Sequence, residues 1–150
     1  MLGAKLCILK SYFKKKVCLI LGFFCFFVSA IYGQNQVIAD SLESIYNSER
    51  YEEKDRLKLL SDLAKYHSNP EETLKYSNEL LRRAKAVDST KRIIGAYQEM
   101  GSAYRLKGDH THALESFLEG VKIADKQENK RDLGIFYLNI GILYARMGDD

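Results

Sequence analysis

The chain has 150 residues, 46% of them hydrophobic and 29% charged, a composition that fits one ordinary folded domain and excludes a compositionally disordered chain. Its formal charge of +3 reflects the front of the chain: five of the 23 basic residues and none of the 20 acidic ones fall within residues 1–33, so the remainder carries 18 against 20, a formal −2. A near-neutral domain with interspersed signs lacks the electrostatic footprint for a phosphate backbone, and nucleic acid is not expected as a partner.

The first element is a leader. Lys14, Lys15 and Lys16 precede an uncharged apolar run from Val17 to Ala30, the layout of a secretory signal peptide over residues 1–33. The run spans about 14 residues, where a membrane helix needs about 20, which favours cleavage over a retained signal anchor. Val28-Ser29-Ala30 presents small residues for cleavage, and a cut after Gly33 is the alternative. Cys7, Cys18 and Cys25 all lie in the leader, so the exported part would have no disulfide or thiolate chemistry. Val17 and Phe24 precede Cys18 and Cys25, in place of the small residue that an acylation site requires, so lipidation is not expected. The expected location is periplasmic or membrane-associated, with the membrane reached only through the leader or a downstream span.

Residues 34–52 then read as a helix near 36–49 and a link. From residue 53 the chain repeats itself. Tyr97, Met100, Gly101 and Tyr104, followed by Gly108-Asp109, recur as Tyr137, Ile140, Gly141 and Tyr144, followed by Gly148-Asp149, at an offset of 141 − 101 = 40. A more divergent copy precedes them, since Thr73-Leu74 lies 40 before Ala113-Leu114 and Ala84 lies 40 before Ala124. The repeats are expected at 53–88, 89–128 and a truncated 129–150. Apolar residues within each copy step by three and four, as in Ile93, Tyr97, Met100, Gly101 and Tyr104, and in Ala113, Phe117, Gly120, Val121 and Ala124. This is the stripe of an amphipathic helix.

The spacing predicts hairpins of helices at 53–67 with 70–87 and 89–107 with 111–127, then a lone helix at 130–147, with no strand. Gly108-Asp109 supplies a left-handed helix end and the next N-cap. Asn69-Pro70-Glu71-Glu72 supplies a cap, a proline that needs no amide hydrogen, and carboxylates at a positive helix end. The inter-helix link of the first copy is expected to be shorter by two or three residues. A lone last helix would leave Phe136, Ile140 and Tyr144 open to water. Burying one such side chain is worth roughly 1.5–3 kcal/mol, so the sequence is expected to be a fragment of a longer chain.

Tyr97, Met100, Gly101 and Tyr104 in one helix, with Ala113, Phe117 and Gly120 in the next, resemble the tetratricopeptide (TPR) repeat. The resemblance covers about residues 53–150. It implies an all-α fold, a right-handed superhelical array of antiparallel helix hairpins, in which Gly101, Ala113 and Gly120 mark close helix approaches while Tyr97, Tyr104 and Phe117 fill the space around them. Repeat packing is expected to continue through Tyr137, Ile140, Gly141 and Tyr144. Tyrosine replaces the family's usual tryptophan, Asp125 stands where a helix-ending proline is common, and the period is 40 rather than about 34. In the first copy Leu63-Ala64 replaces the Leu-Gly pair.

Arrays of this family bind peptides in the groove lined by the first helices. By register that groove takes Gln98, Ser102 and Arg105, then Leu138, Asn139, Ile142 and Arg146. Gln98 and Ser102 occupy the places of the lysine and asparagine that grip a peptide's terminal carboxylate in some members, which disfavours that ligand class. Gln98 and Asn139 are suited to an extended peptide backbone, and Arg105 and Arg146 to an acidic ligand.

No catalytic or cofactor-binding residue is expected, and no metal. His110 and His112 flank Thr111 at a helix start with no further ligand in sequence, and His67 stands alone, so solvated positions are the simpler reading. Glu52-Glu53 and Glu71-Glu72 lie at predicted helix starts, where they complement the helix dipole. No nucleophile elbow, phosphate-cradling loop or dinucleotide fingerprint occurs in the sequence. The expectation is therefore a non-enzymatic scaffold for a protein or peptide ligand. A forty-residue array after a signal peptide also resembles the exported regions of bacterial signalling proteins, and that resemblance implies the extracytoplasmic sensory part of a larger signalling protein. Two alternatives stay open: the regulatory front of a histidine kinase or cyclase whose catalytic domain lies further on, and a stand-alone exported repeat protein for assembly or adhesion.

Overall fold

A computed structural model of the chain describes residues 35–148. The expected leader, its cleavage site and its possible retention as an anchor lie outside the described residues. Among those described there is no strand, and no helix is long and apolar enough to cross a membrane. Six α-helices follow one another: α1 (residues 35–47), α2 (Arg56–Tyr66, entered through a 3-10 turn at Glu53–Asp55), α3 (Pro70–Ala86), α4 (Thr90–Leu106), α5 (His110–Lys126) and α6 (Lys130–Gly148).

The helix ends repeat with the sequence. Starts at 70 and 110, and at 90 and 130, are separated by 40 residues, as are the ends at 66 and 106 and at 86 and 126. The buried positions follow the same offset: Thr73, Tyr76, Ser77, Leu80 and Ala84 on α3 correspond to Ala113, Ser116, Phe117, Gly120 and Ala124 on α5. The first inter-helix link, residues 67–69, is as long as its counterpart at 107–109. That corrects the shorter link expected from sequence: His67 turns into extended backbone (ψ 129°) directly after α2, and Asn69 caps α3 by accepting from the amides of Glu71 and Glu72.

The later links share one local device. Asp88, Gly108 and Glu128 each adopt a left-handed φ of 51–77°. The amide of the following residue reaches back to the helix, as Ser89 to Ala84, Asp109 to Tyr104 and Asn129 to Ala124, each at 2.9 Å. This six-to-one bond closes a helix C-terminus and leaves the next residue free to start a new helix. Asp109 accepts from the His112 amide and Asn129 from the Asp132 amide, both at 3.2 Å. Only Gly108 is a glycine among the three left-handed residues, and a side chain there costs roughly 1–2 kcal/mol. After allowing for the freer unfolded chain, Glu128→Gly is expected to raise stability by about 0.5–1 kcal/mol, read as a higher urea midpoint at unchanged slope.

Packing is between near neighbours. Successive helices from α2 to α6 pack in pairs, and α4 also touches α2 and α6. Buried side chains form two clusters: Leu59, Leu60, Leu63, Tyr76 and Leu80 with Ala96, and Ile94, Ala113, Phe117, Phe136 and Leu143 with Ala124. Because α4 gives Ala96 to one and Ile94 to the other, it joins the hairpins into a helical, repeat-like stack. Helix α1 lies on the first cluster through Leu42 and Tyr46, whose ring stacks on Tyr51 at 5.9 Å and meets Tyr76 edge-on at 5.7 Å.

Two glycines set the close approaches. A Cβ on Gly101 would fall inside the Phe117 ring, and one on Gly120 inside the Phe136 ring. Both phenylalanines have no exposed surface. Phe136 therefore departs from the expectation that it faces water, since it fills the space left by Gly120 on the preceding helix. Ile140 is half-buried against the same cluster. Tyr144 is exposed, as expected of a lone last helix; Tyr137 and Gly141 are exposed as well, and nothing stands within 4 Å of a Cβ on Gly141.

Candidate functional site

The expected groove residues lie on α4 and α6. Gln98, Ser102 and Arg105 are half-buried on α4, which sits between α2 and α6. On α6, Asn139 is half-buried while Leu138, Ile142 and Arg146 are exposed. Asn139 uses its side-chain amide to donate to the Ile135 carbonyl at 2.9 Å, one turn back on its own helix. Its carbonyl oxygen is left for another donor. The tyrosines and methionine expected to pack around the glycines, Tyr97, Met100 and Tyr104, are half-buried.

Charge on this part of the molecule is uneven. Burial pulls the Arg105 guanidinium below its ordinary range, and the like charge of Arg146 adds to that pull. The Arg105 Nε is buried and makes no hydrogen bond to the described residues. An anion bound at Arg105 would offset the cost of that unpaired donor. Glu99, one residue from Gln98, is the opposite case: burial pushes its carboxyl up to about 7, with Lys65 of α2 only partly offsetting the effect. Near neutral pH this carboxyl is present in both protonation states and can donate as well as accept a hydrogen bond.

No protein-family model matches the chain, and no curated protein or solved structure is significantly similar to it.

Other predicted positions are structural. Glu71 pairs with Lys107 at 3.1 Å, a hydrogen bond that holds its carboxyl below the usual range, and Glu72 pairs with Lys75 at 2.7 Å. Glu52 and Glu53 precede α2 and pair with Lys54 at 2.6 Å and Arg56 at 3.0 Å. The His112 ring meets Asp109 at 2.7 Å and stacks on Tyr104 at 5.2 Å, while His110 is half-buried. A cleft of ≈ 350 Å³ lies where the start of α2 meets the end of α3, lined by Arg56, Leu57, Arg82, Arg83 and Val87 among others. Its cations are already engaged, Arg82 and Arg83 with Glu79 and Arg56 with Glu53.

Two features escaped the sequence reading. Glu99 is one, although the repeat carried a signal: forty residues earlier stands Leu59, a buried core residue. The other concerns His67, which is not alone as expected. Glu43 of α1, His67 of the first link and Glu72 of α3 each bring one ligand-type atom to within 4.8 Å of the others. Nothing in their spacing announces this group.

Proposed function

We propose that residues 34–150 form a tetratricopeptide-like right-handed superhelical array that binds an extended peptide or protein segment along α4 and α6. No covalent chemistry is involved. The chain enters the exported space through its leader and serves as the sensory part of a larger signalling protein. Support comes from the forty-residue recurrence of helix ends and buried positions, which makes each hairpin a copy of the last.

The single observation that carries the ligand class is the half-buried Arg105, whose Nε has no hydrogen-bond partner among the described residues. With exposed Arg146 on the neighbouring α6, it favours an acidic segment. Gln98, Ser102 and the free carbonyl of Asn139 would then serve its backbone, as polar side chains do wherever a strand-like peptide is held without a sheet edge. The exposed apolar side of α6, with Leu138, Ile142 and Met147, offers contact area beside the charges.

The test is fluorescence anisotropy with labelled peptides of acidic, neutral and basic composition. Acidic peptides are expected to bind, and Arg105→Gln to weaken them by about tenfold, equivalent to roughly 1.4 kcal/mol. Equal binding of basic peptides, or an unchanged Kd in Arg105→Gln, would remove the proposal.

A further inference from the structure

We infer that Glu43, His67 and Glu72 form a binding site for a divalent transition metal of the zinc class, one that clips α1 onto the first helical hairpin. The His67 side chain is only 5% exposed. Both of its ring nitrogens are buried and lack a hydrogen-bond partner among the described residues. A buried imidazole without a partner is costly, because neither its donor nor its acceptor is satisfied. Its Nε2 lies 3.7 Å from Glu43 Oε2, too far for a hydrogen bond yet close to the roughly 3.3 Å that separates two ligand atoms each about 2.0–2.1 Å from one metal in a tetrahedral shell. Glu72 completes the group, all three ligand atoms lying within 4.8 Å of one another.

The surroundings are those of a supported ligand set. Tyr76 donates its hydroxyl to Glu43 Oε1 at 2.6 Å. Its ring stacks on His67 with centroids 5.7 Å apart, which fixes the imidazole plane. Such second contacts orient metal ligands and hold their basicity. Lys75 is the resident cation, 2.7 Å from Glu72 and 4.0 Å from Glu43. It is more than half exposed and free to swing into solvent as a dication enters. One imidazole with two carboxylates selects zinc and its neighbours over calcium or magnesium, which prefer all-oxygen shells. The ligands come from α1, a link and α3, so the bound metal would tie three segments that otherwise meet through Tyr46, Tyr76 and the contact of Gln36 with Ser68.

The experiment titrates the full chain with zinc chloride by calorimetry and with cobalt(II) by visible absorption. Cys7, Cys18 and Cys25 are changed to Ser throughout, so that leader thiolates do not compete. One metal per chain is expected, with a zinc-dependent rise in Tm. His67→Gln and Glu72→Gln should each abolish measurable binding, and Tyr76→Phe should weaken it by about 10-fold or more. Glu72 is half-buried in the first turn of α3, outside both core clusters, so its variant keeps the test valid should His67→Gln fail to fold by circular dichroism. Lys75→Gln should bind more tightly, since the competing ammonium is gone. His110→Gln with His112→Gln should leave binding unchanged. The inference is overturned by absence of zinc binding, by unaltered affinity in Glu72→Gln, by equal affinity for calcium, by weaker binding in Lys75→Gln, or by loss of binding in the His110 and His112 variant.

Discussion

Gly120→Leu is expected to destabilise the protein by about 3 kcal/mol or more, because four added carbons must enter space that the Phe136 ring already fills. Phe136→Ala is expected to cost a similar 3–5 kcal/mol by leaving a cavity of ring size. The two changes together should restore most of the stability. One repeat earlier, the corresponding positions are Leu80 and Ala96, both buried without exposed surface in the first cluster. There the large side chain sits on the earlier helix and the small one on the later, the reverse of Gly120 and Phe136. The double variant copies that arrangement and should lie within about 1.5 kcal/mol of the parent, as volume-conserving exchanges do. Urea unfolding of the four proteins gives the coupling directly, expected to be at least about 2 kcal/mol. Additive losses would mean that the two side chains do not share one space.

Glu99→Gln should stabilise the protein at pH 8 and do little at pH 4. Burial raises the Glu99 carboxyl from an ordinary 4.5 to about 7. Between those values the folded state holds a proton that the unfolded state has released, so stability falls as pH rises through that window. The full penalty, on the order of 2–3 kcal/mol, is present above pH 7 and is absent below pH 4.5, where both states are protonated. Glutamine carries no charge at any pH and escapes the loss. Urea midpoints from pH 4 to pH 8 should therefore flatten in the variant. Parallel curves for the two proteins would show that Glu99 ionises without hindrance in the folded state.

The position of Glu99 explains why a chain would tolerate such a residue. It is half-buried on α4, near enough to Lys65 to feel its charge, and is adjacent in the helix to Gln98. A group that costs stability near neutral pH is more readily understood as serving a ligand than the fold. Peptide binding and the Glu99→Gln stability gain are separate measurements, and each stands if the other fails.

Much of the fold was legible from residue order. Asn69-Pro70 and Gly108-Asp109 mark helix boundaries through bonds made within a few residues, and the observed ends at Ala86, Leu106 and Lys126 fall within one residue of those expected. The link at 67–69 is not legible by analogy with its counterpart, because His67 ends its helix by extending, where Gly108 does so by turning left-handed. The burial of Phe136 is not legible either, because it depends on an absent side chain, that of Gly120, one helix away. The grouping of Glu43, His67 and Glu72 was invisible, since α1 stands outside the forty-residue period and nothing local says where it lies.

By itself the sequence determined the helices, their ends and the recurrence of small and large side chains, because a helix is closed by hydrogen bonds and caps between residues near in the chain. Tertiary structure alone decided which glycine received which ring, that Glu99 would be half-buried, and that an imidazole would meet two carboxylates. Burial and convergence are properties of surfaces brought together from distant segments, and no short-range pattern encodes them.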